Sequence, residues 1–88
     1  MKRTVEIVPE AGLHARPASK FVETVGEYEA DIKISDPSTG DEPVDAGSML
    51  AVTGLGLKQG DEMEIEAEGS DAEEALDALE EVITTPEE

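Results

Sequence analysis

The chain contains no cysteine and no tryptophan, and only one phenylalanine, one tyrosine and one histidine. Without cysteine there are no disulfides, thiolate metal ligands or thiol nucleophiles. With so few aromatic rings, any core must be built from aliphatic side chains. Apolar runs extend over a few residues at most, too short to cross a bilayer. Met1-Lys2-Arg3-Thr4 leads into an alternating pattern rather than the apolar stretch of a signal peptide. A cytoplasmic chain without membrane insertion is therefore expected. Bases are also scarce: six Lys and Arg stand against 23 Asp and Glu, a net charge of −17. Nucleic-acid binding needs the opposite sign and is not expected.

What is present is enough for one domain, residues 1–88. Apolar residues make up 38% of the chain, and the eight glycines bring the total to the usual globular level. A chain this short buries roughly 60–65% of its unfolded surface. Its net charge opposes compaction unless salt screens it. At about 1 M salt the Debye length falls to roughly 3 Å and most of that repulsion disappears. The expected setting is a cytoplasm rich in potassium salts, as in a halophile.

The periodicities predict the order β-α-β-β-α-β-α. Thr4-Val5-Glu6-Ile7-Val8 alternates and is β-branched, a strand ended by Pro9. A helical stripe of Ala18, Phe21, Val22 and Val25 begins at Ala15 and stops at Gly26. Asp31–Ser35 alternates again. The turn-forming run from Asp36 to Asp41 leads to a short strand near Glu42–Val44. Ser48 precedes a short helix, Met49-Leu50-Ala51-Val52, limited by Gly54 and Gly56. Glu62–Glu68 has strict period two, with glutamates on one face. Ser70 or Asp71 is expected to cap a last helix whose apolar stripe is Ala72, Ala75, Leu76, Leu79, Val82 and Ile83. Amphipathic strands and singly striped helices predict a two-layer α+β domain. Glu80 and Glu81 oppose the dipole at the end of that helix, and nothing local explains them.

The acids are unevenly placed. Asp61–Glu88 holds thirteen acids and no base, whereas Ala11–Val22 and Ala46–Gly60 hold no acid. The plainer reading is that these windows are buried, since Leu50, Val52, Leu55 and Leu57 are apolar, but burial does not account for the polar His14, Arg16, Ser19, Lys20, Ser48 and Thr53 in the same windows. A surface kept free of acid points to a negative ligand or partner.

The first window contains Gly12-Leu13-His14-Ala15-Arg16-Pro17-Ala18. Pro17 falls in a helical first turn, where its missing N–H and fixed φ are tolerated. The amides of Ala15 and Arg16, with the positive end of the helix dipole, then form an anion site beside the imidazole. Arg16 adds a fork of donors suited to a phosphoryl group. A largely neutral imidazole is an available nucleophile near pH 7. His14 can therefore accept a phosphoryl group covalently; the plainer reading is that it caps the helix. No P-loop or metal-type histidine cluster is present, and no cofactor or metal is expected.

The Gly12–Ala18 string resembles the phosphorylation signature of the HPr family, the histidine-containing phosphocarriers of the phosphoenolpyruvate-dependent sugar phosphotransferase system. Ser48-Met49-Leu50-Ala51-Val52, continuing through Leu55-Gly56-Leu57 to Gly60, resembles that family's regulatory-serine segment and following loop. The resemblance covers nearly the whole chain. It implies an open-faced β-sandwich with an antiparallel sheet of order 1-4-2-3 and helices on one face. It also implies that His14 takes a phosphoryl group from Enzyme I on Nδ1 and passes it to the A domain of a sugar-specific enzyme II. Arg16 would neutralise the group, and Ala15 and Pro17 would shape the helix start. The chain would thus be a relay component with a phosphohistidine intermediate rather than an enzyme.

The resemblance makes Leu13, Lys20, Met49, Leu50 and Thr53 the docking residues, and both acid-free windows fall on that one face. Ser48 occupies the position that a serine kinase phosphorylates in some members, although a plain helix cap is the preferred reading of it. Many members carry lysines in and after the first helix; here that stretch reads Glu23-Thr24-Val25-Gly26, with Lys20 nearby. Docking is therefore expected to rest more on Leu13, Met49 and Leu50 than on ion pairs, and the chain is expected to be a monomer. The alternatives are a regulatory relay using the same chemistry, or a docking module that is never phosphorylated.

Overall fold

Period-two patterning makes the sheet. In a computed structural model, which describes residues 1–8, 15–40 and 42–84 and only the backbone of 15–17, strand β4 (Glu62–Glu68) buries Met63, Ile65 and Ala67. Its four glutamates point the other way. Strand β2 (Asp31–Ser35) buries Ile32 and Ile34 on the same side. Strand β1 (Lys2–Glu6) and the two-residue β3 (Val44–Asp45) complete an antiparallel sheet of order β1-β4-β2-β3. This is the order the resemblance implies.

The bounds of β1 and β3 differ from the periodicity. The ladder of β1 starts at Lys2 rather than Thr4, because the Met1 carbonyl already accepts from the Ala67 amide at 2.8 Å. Beyond the strand, the Ile7 amide donates to Asp61 O (2.8 Å) and the Val8 amide to Ile83 O (3.0 Å). β3 begins at Val44 rather than Glu42. Pro43 has no amide hydrogen to contribute to a ladder, so pairing starts after it. In the preceding turn, Asp36 Oδ1 accepts from the Ser38 hydroxyl (2.7 Å) and amide (2.9 Å). These bonds hold the Asp36 carboxyl below its ordinary pKa.

Three helices, α1 (Ala15–Gly26), α2 (Met49–Gly54) and α3 (Ala72–Thr84), supply the second layer. α3 packs on β1, β4 and α1, while α2 packs on α1 and β3. Ala18 and Phe21 of α1, Val52 of α2 and Ala75, Leu76, Leu79 and Ile83 of α3 join the sheet's apolar face in one core. Asp71 does not cap α3 with its side chain. Its two oxygens instead accept the amides of Glu29 and Ala30, each at 2.9 Å, and tie the start of β2 to the start of α3. Glu80 also acquires a role: Arg3 Nη1 donates to Asp77 (2.7 Å) and Glu80 (2.9 Å), joining β1 to α3.

The uncovered face explains why salt should matter. Pairing register sets Glu6 directly opposite Glu62 and Asp31 directly opposite Glu68 on that face. Like charges in such positions repel. Lowering KCl from about 3 M to about 0.02 M lengthens the Debye distance more than about tenfold. Melting followed by circular dichroism should then move down by at least about 5 °C, the equivalent of roughly 1 kcal/mol for a domain this size. An unchanged melting temperature would remove screening as a determinant of stability.

Candidate functional site

The helix that follows His14 in sequence is present and starts where its pattern placed it. α1 opens at Ala15, so Arg16 and Pro17 lie in its first turn, and that turn contains no acid. Leu13 and His14 lie outside the described residues, as do the side chains of Ala15, Arg16 and Pro17. One turn further on, Ser19 and Lys20 are exposed, and the first exposed acid of α1 is Glu23. Ala18 and Phe21 point the other way, into the core. Their burial fixes which side of the helix Ser19 and Lys20 present to solvent.

The helix of the second acid-free window packs on the helix that the first window opens. α2 packs on α1, and a Cβ on Gly47 would lie 3.9 Å from Val25 Cγ1. Ser48 stands at the N-cap of α2, and its hydroxyl oxygen accepts the Ala51 amide at 3.3 Å. This is the plain capping role. Met49 and Leu50 project outward, 39% and 84% exposed, while Val52 on the opposite side of the same helix is fully buried. Leu50 is the most exposed large apolar side chain among the described residues. Thr53 is half-buried, and its hydroxyl donates to the Met49 carbonyl at 2.8 Å, so it offers less to a partner than the spacing suggested.

The end of this window braces the strand that leads toward His14. Gln59 Nε2 donates to the Val8 carbonyl (3.0 Å), and the Gly60 amide donates to the Ile7 carbonyl (2.8 Å). Residues 51 positions apart carry the first of these bonds, and no local sequence signal announces it. Gly60 has φ +90°, a conformation available to glycine but strained for other residues. A groove on the uncovered sheet face, lined by Asp31, Lys33, Glu42, Pro43, Glu66 and Glu68, has the opposite character. Its four carboxylates disfavour an anionic ligand.

The fold and its two acid-free windows define a small open-faced sandwich that presents a helix start and an apolar protrusion on two packed helices. Comparison with known proteins then gives the family. Residues 1–85 match the family described as PTS HPr component phosphorylation site. The chain is 56% identical over 87 residues to the phosphocarrier protein HPr of Haloferax volcanii, covering 99% of this chain and 97% of that protein. It is 37% identical over 70 residues to the multiphosphoryl transfer protein of Escherichia coli O157:H7, covering 80% of this chain and 19% of that larger protein. The crystal structure of HPr from Bacillus anthracis superposes with a TM-score of 0.86 at 36% identity, over 94% of this chain and 95% of that one. The chain belongs to the HPr family of phosphocarriers.

Proposed function

We propose that this chain carries a phosphoryl group on His14 between phosphorylated Enzyme I and the A domain of a sugar-specific enzyme II, in a saline cytoplasm. The lone pair on Nδ1 attacks phosphorus as the bond from phosphorus to the donor breaks. Transfer onward reverses the order, with the bond from His14 to phosphorus breaking as the acceptor's forms. Such transfers pass through a loose transition state whose charge is spread over three oxygens, so positioning and charge stabilisation do most of the catalysis. The first-turn amides of Ala15 and Arg16, the helix dipole and the Arg16 guanidinium would supply that stabilisation. Pro17 would hold the helix start.

Met49 and Leu50, with Leu13 and Lys20, would form the surface that both partners use in turn. Ser48 serves as the cap of α2. A phosphate placed on it by a serine kinase would add charge to the docking face and hinder an acidic partner. The observation that carries this reading is the opening of α1 immediately after the chain's single histidine, in a stretch of sequence without acid.

Incubation with phosphoenolpyruvate and the cognate Enzyme I in molar KCl tests it by intact mass. The expected result is a gain of one acid-labile phosphoryl group, absent from His14→Ala. A gain retained in His14→Ala, or no gain at all, would overturn the assignment. Arg16→Ala should fold normally and accept the group at least about tenfold more slowly, as expected when a charge-assisted contact is lost. An unchanged rate would remove Arg16 from the mechanism.

A further inference from the structure

The sheet has an edge of regular geometry on β1. Pairing of β1 with β4 uses the odd-numbered residues: Met1 bonds with Ala67 and Ile7 with Asp61, in a register that also sets Arg3 opposite Ile65 and Val5 opposite Met63. The backbone N–H and C=O groups of Lys2, Thr4 and Glu6 therefore point away from the sheet. Among the described residues no strand borders that side. The side chains of Lys2, Thr4 and Glu6 are all exposed on the uncovered face, where Lys2 Nζ also lies 3.8 Å from Glu64 Oε1 of its own chain and can be shared with an acid across the edge.

Charged side chains on an edge ordinarily discourage pairing. Here their spacing makes the edge complementary to itself. A two-fold axis through Thr4 sets Lys2 opposite Glu6 of the second copy, and Glu6 opposite Lys2. Antiparallel pairing in this register uses the outward amide and carbonyl of all three residues. Registers centred on Lys2 or on Glu6 would oppose like charges, and those centred on Arg3 or Val5 would leave one of the three outward residues unmatched. On the other side of the strand, Arg3 is already engaged by Asp77 and Glu80 of α3, which offsets acid close to the edge.

We propose that β1 pairs antiparallel with β1 of a second copy of this chain, centred on Thr4, when salt screens the net charge. At low ionic strength two molecules of charge −17 repel, and the chain is the monomer expected from its sequence. At about 1 M salt the screening length is roughly 3 Å. Distant repulsion is then suppressed, while hydrogen bonds across the edge persist and contact ion pairs are weakened less than the repulsion between distant charges. A five-residue edge buries little area, so the dimer is weak and reversible.

Sedimentation equilibrium on the full chain in about 3 M and about 0.1 M KCl tests this, with protein from micromolar to millimolar. Association should appear at high salt and vanish at low salt. Lys2→Glu or Glu6→Lys alone should weaken it at least about tenfold, because each turns both cross-strand pairs into like charges. The double variant Lys2→Glu/Glu6→Lys should restore it to within about threefold, since the pairs are then reversed but again opposite. Thr4→Pro removes an outward N–H without touching the bonds to β4 and should abolish association. A parent chain that stays monomeric in high salt at every concentration overturns the proposal. So does association that the single charge variants leave unchanged. If Thr4→Pro fails to fold, the charge reversals still decide.

Discussion

Leu50→Asp is expected to lower kcat/KM for phosphoryl transfer from Enzyme I by about 30-fold or more while leaving the fold intact. The Leu50 side chain is 84% exposed and contributes nothing to the buried core. It sits in the first turn of α2, where a carboxylate suits the helix dipole. The melting temperature should therefore stay within about 2 °C of the parent, in keeping with the small effects of surface substitutions. In the docking proposed above the same side chain would fill an apolar pocket, and a central anchor of this kind is worth about 2 kcal/mol or more. A buried, unpaired aspartate costs at least as much. Leu50→Ala should lose less, since it removes the anchor without burying a charge. Steady-state transfer kinetics beside thermal melts separate the two effects. A transfer rate equal to the parent's would take α2 out of the docking surface.

Phe21→Ala has the opposite signature. Phe21 is the chain's single phenylalanine, wholly buried, and it carries the α1 stripe into the core shared with α3 and the sheet. Truncating a buried phenylalanine to alanine costs about 3–5 kcal/mol, part from lost transfer energy and part from the cavity left behind. A domain of this length has a total stability of about 4–13 kcal/mol. The variant should therefore be largely destabilised, with its denaturation midpoint in urea at molar KCl far below the parent's. Phe21→Leu retains much of the volume and should cost clearly less. Loss of transfer activity in Phe21→Ala should track the unfolded fraction, because the side chain faces away from exposed Ser19 and Lys20. A midpoint shift worth less than about 1 kcal/mol would mean that the core closes around the gap.

Much of this protein was legible because its signals are local. The period-two run Glu62–Glu68 and the stripe beginning at Ala15 become β4 and α1 with the expected bounds. Side-chain alternation and the 3.6-residue repeat depend only on neighbours in sequence. The Gly12–Ala18 string and the two acid-free windows marked the candidate surface for the same reason. The start of β1 and the end of β3 were less legible. Both depend on which distant residues supply partners, as Ala67 does for Met1 and Ile32 does for the Ala46 amide at 3.1 Å. The strand order β1-β4-β2-β3 came from family resemblance, because periodicity says nothing about neighbours in a sheet.

The sequence by itself determined the helix and strand types, the absence of thiol chemistry, the acidic character and the position of one histidine before a helix. Only the tertiary structure decided that α2 lies against α1, which brings together helices from two separated windows. It also decided that Asp71 secures the Glu29 and Ala30 amides rather than its own helix, and that Arg3 gives Glu80 a partner. A carboxylate takes whichever donors packing brings within about 3 Å. Packing is set by the burial of the whole apolar surface, a sum over distant residues that no local pattern contains.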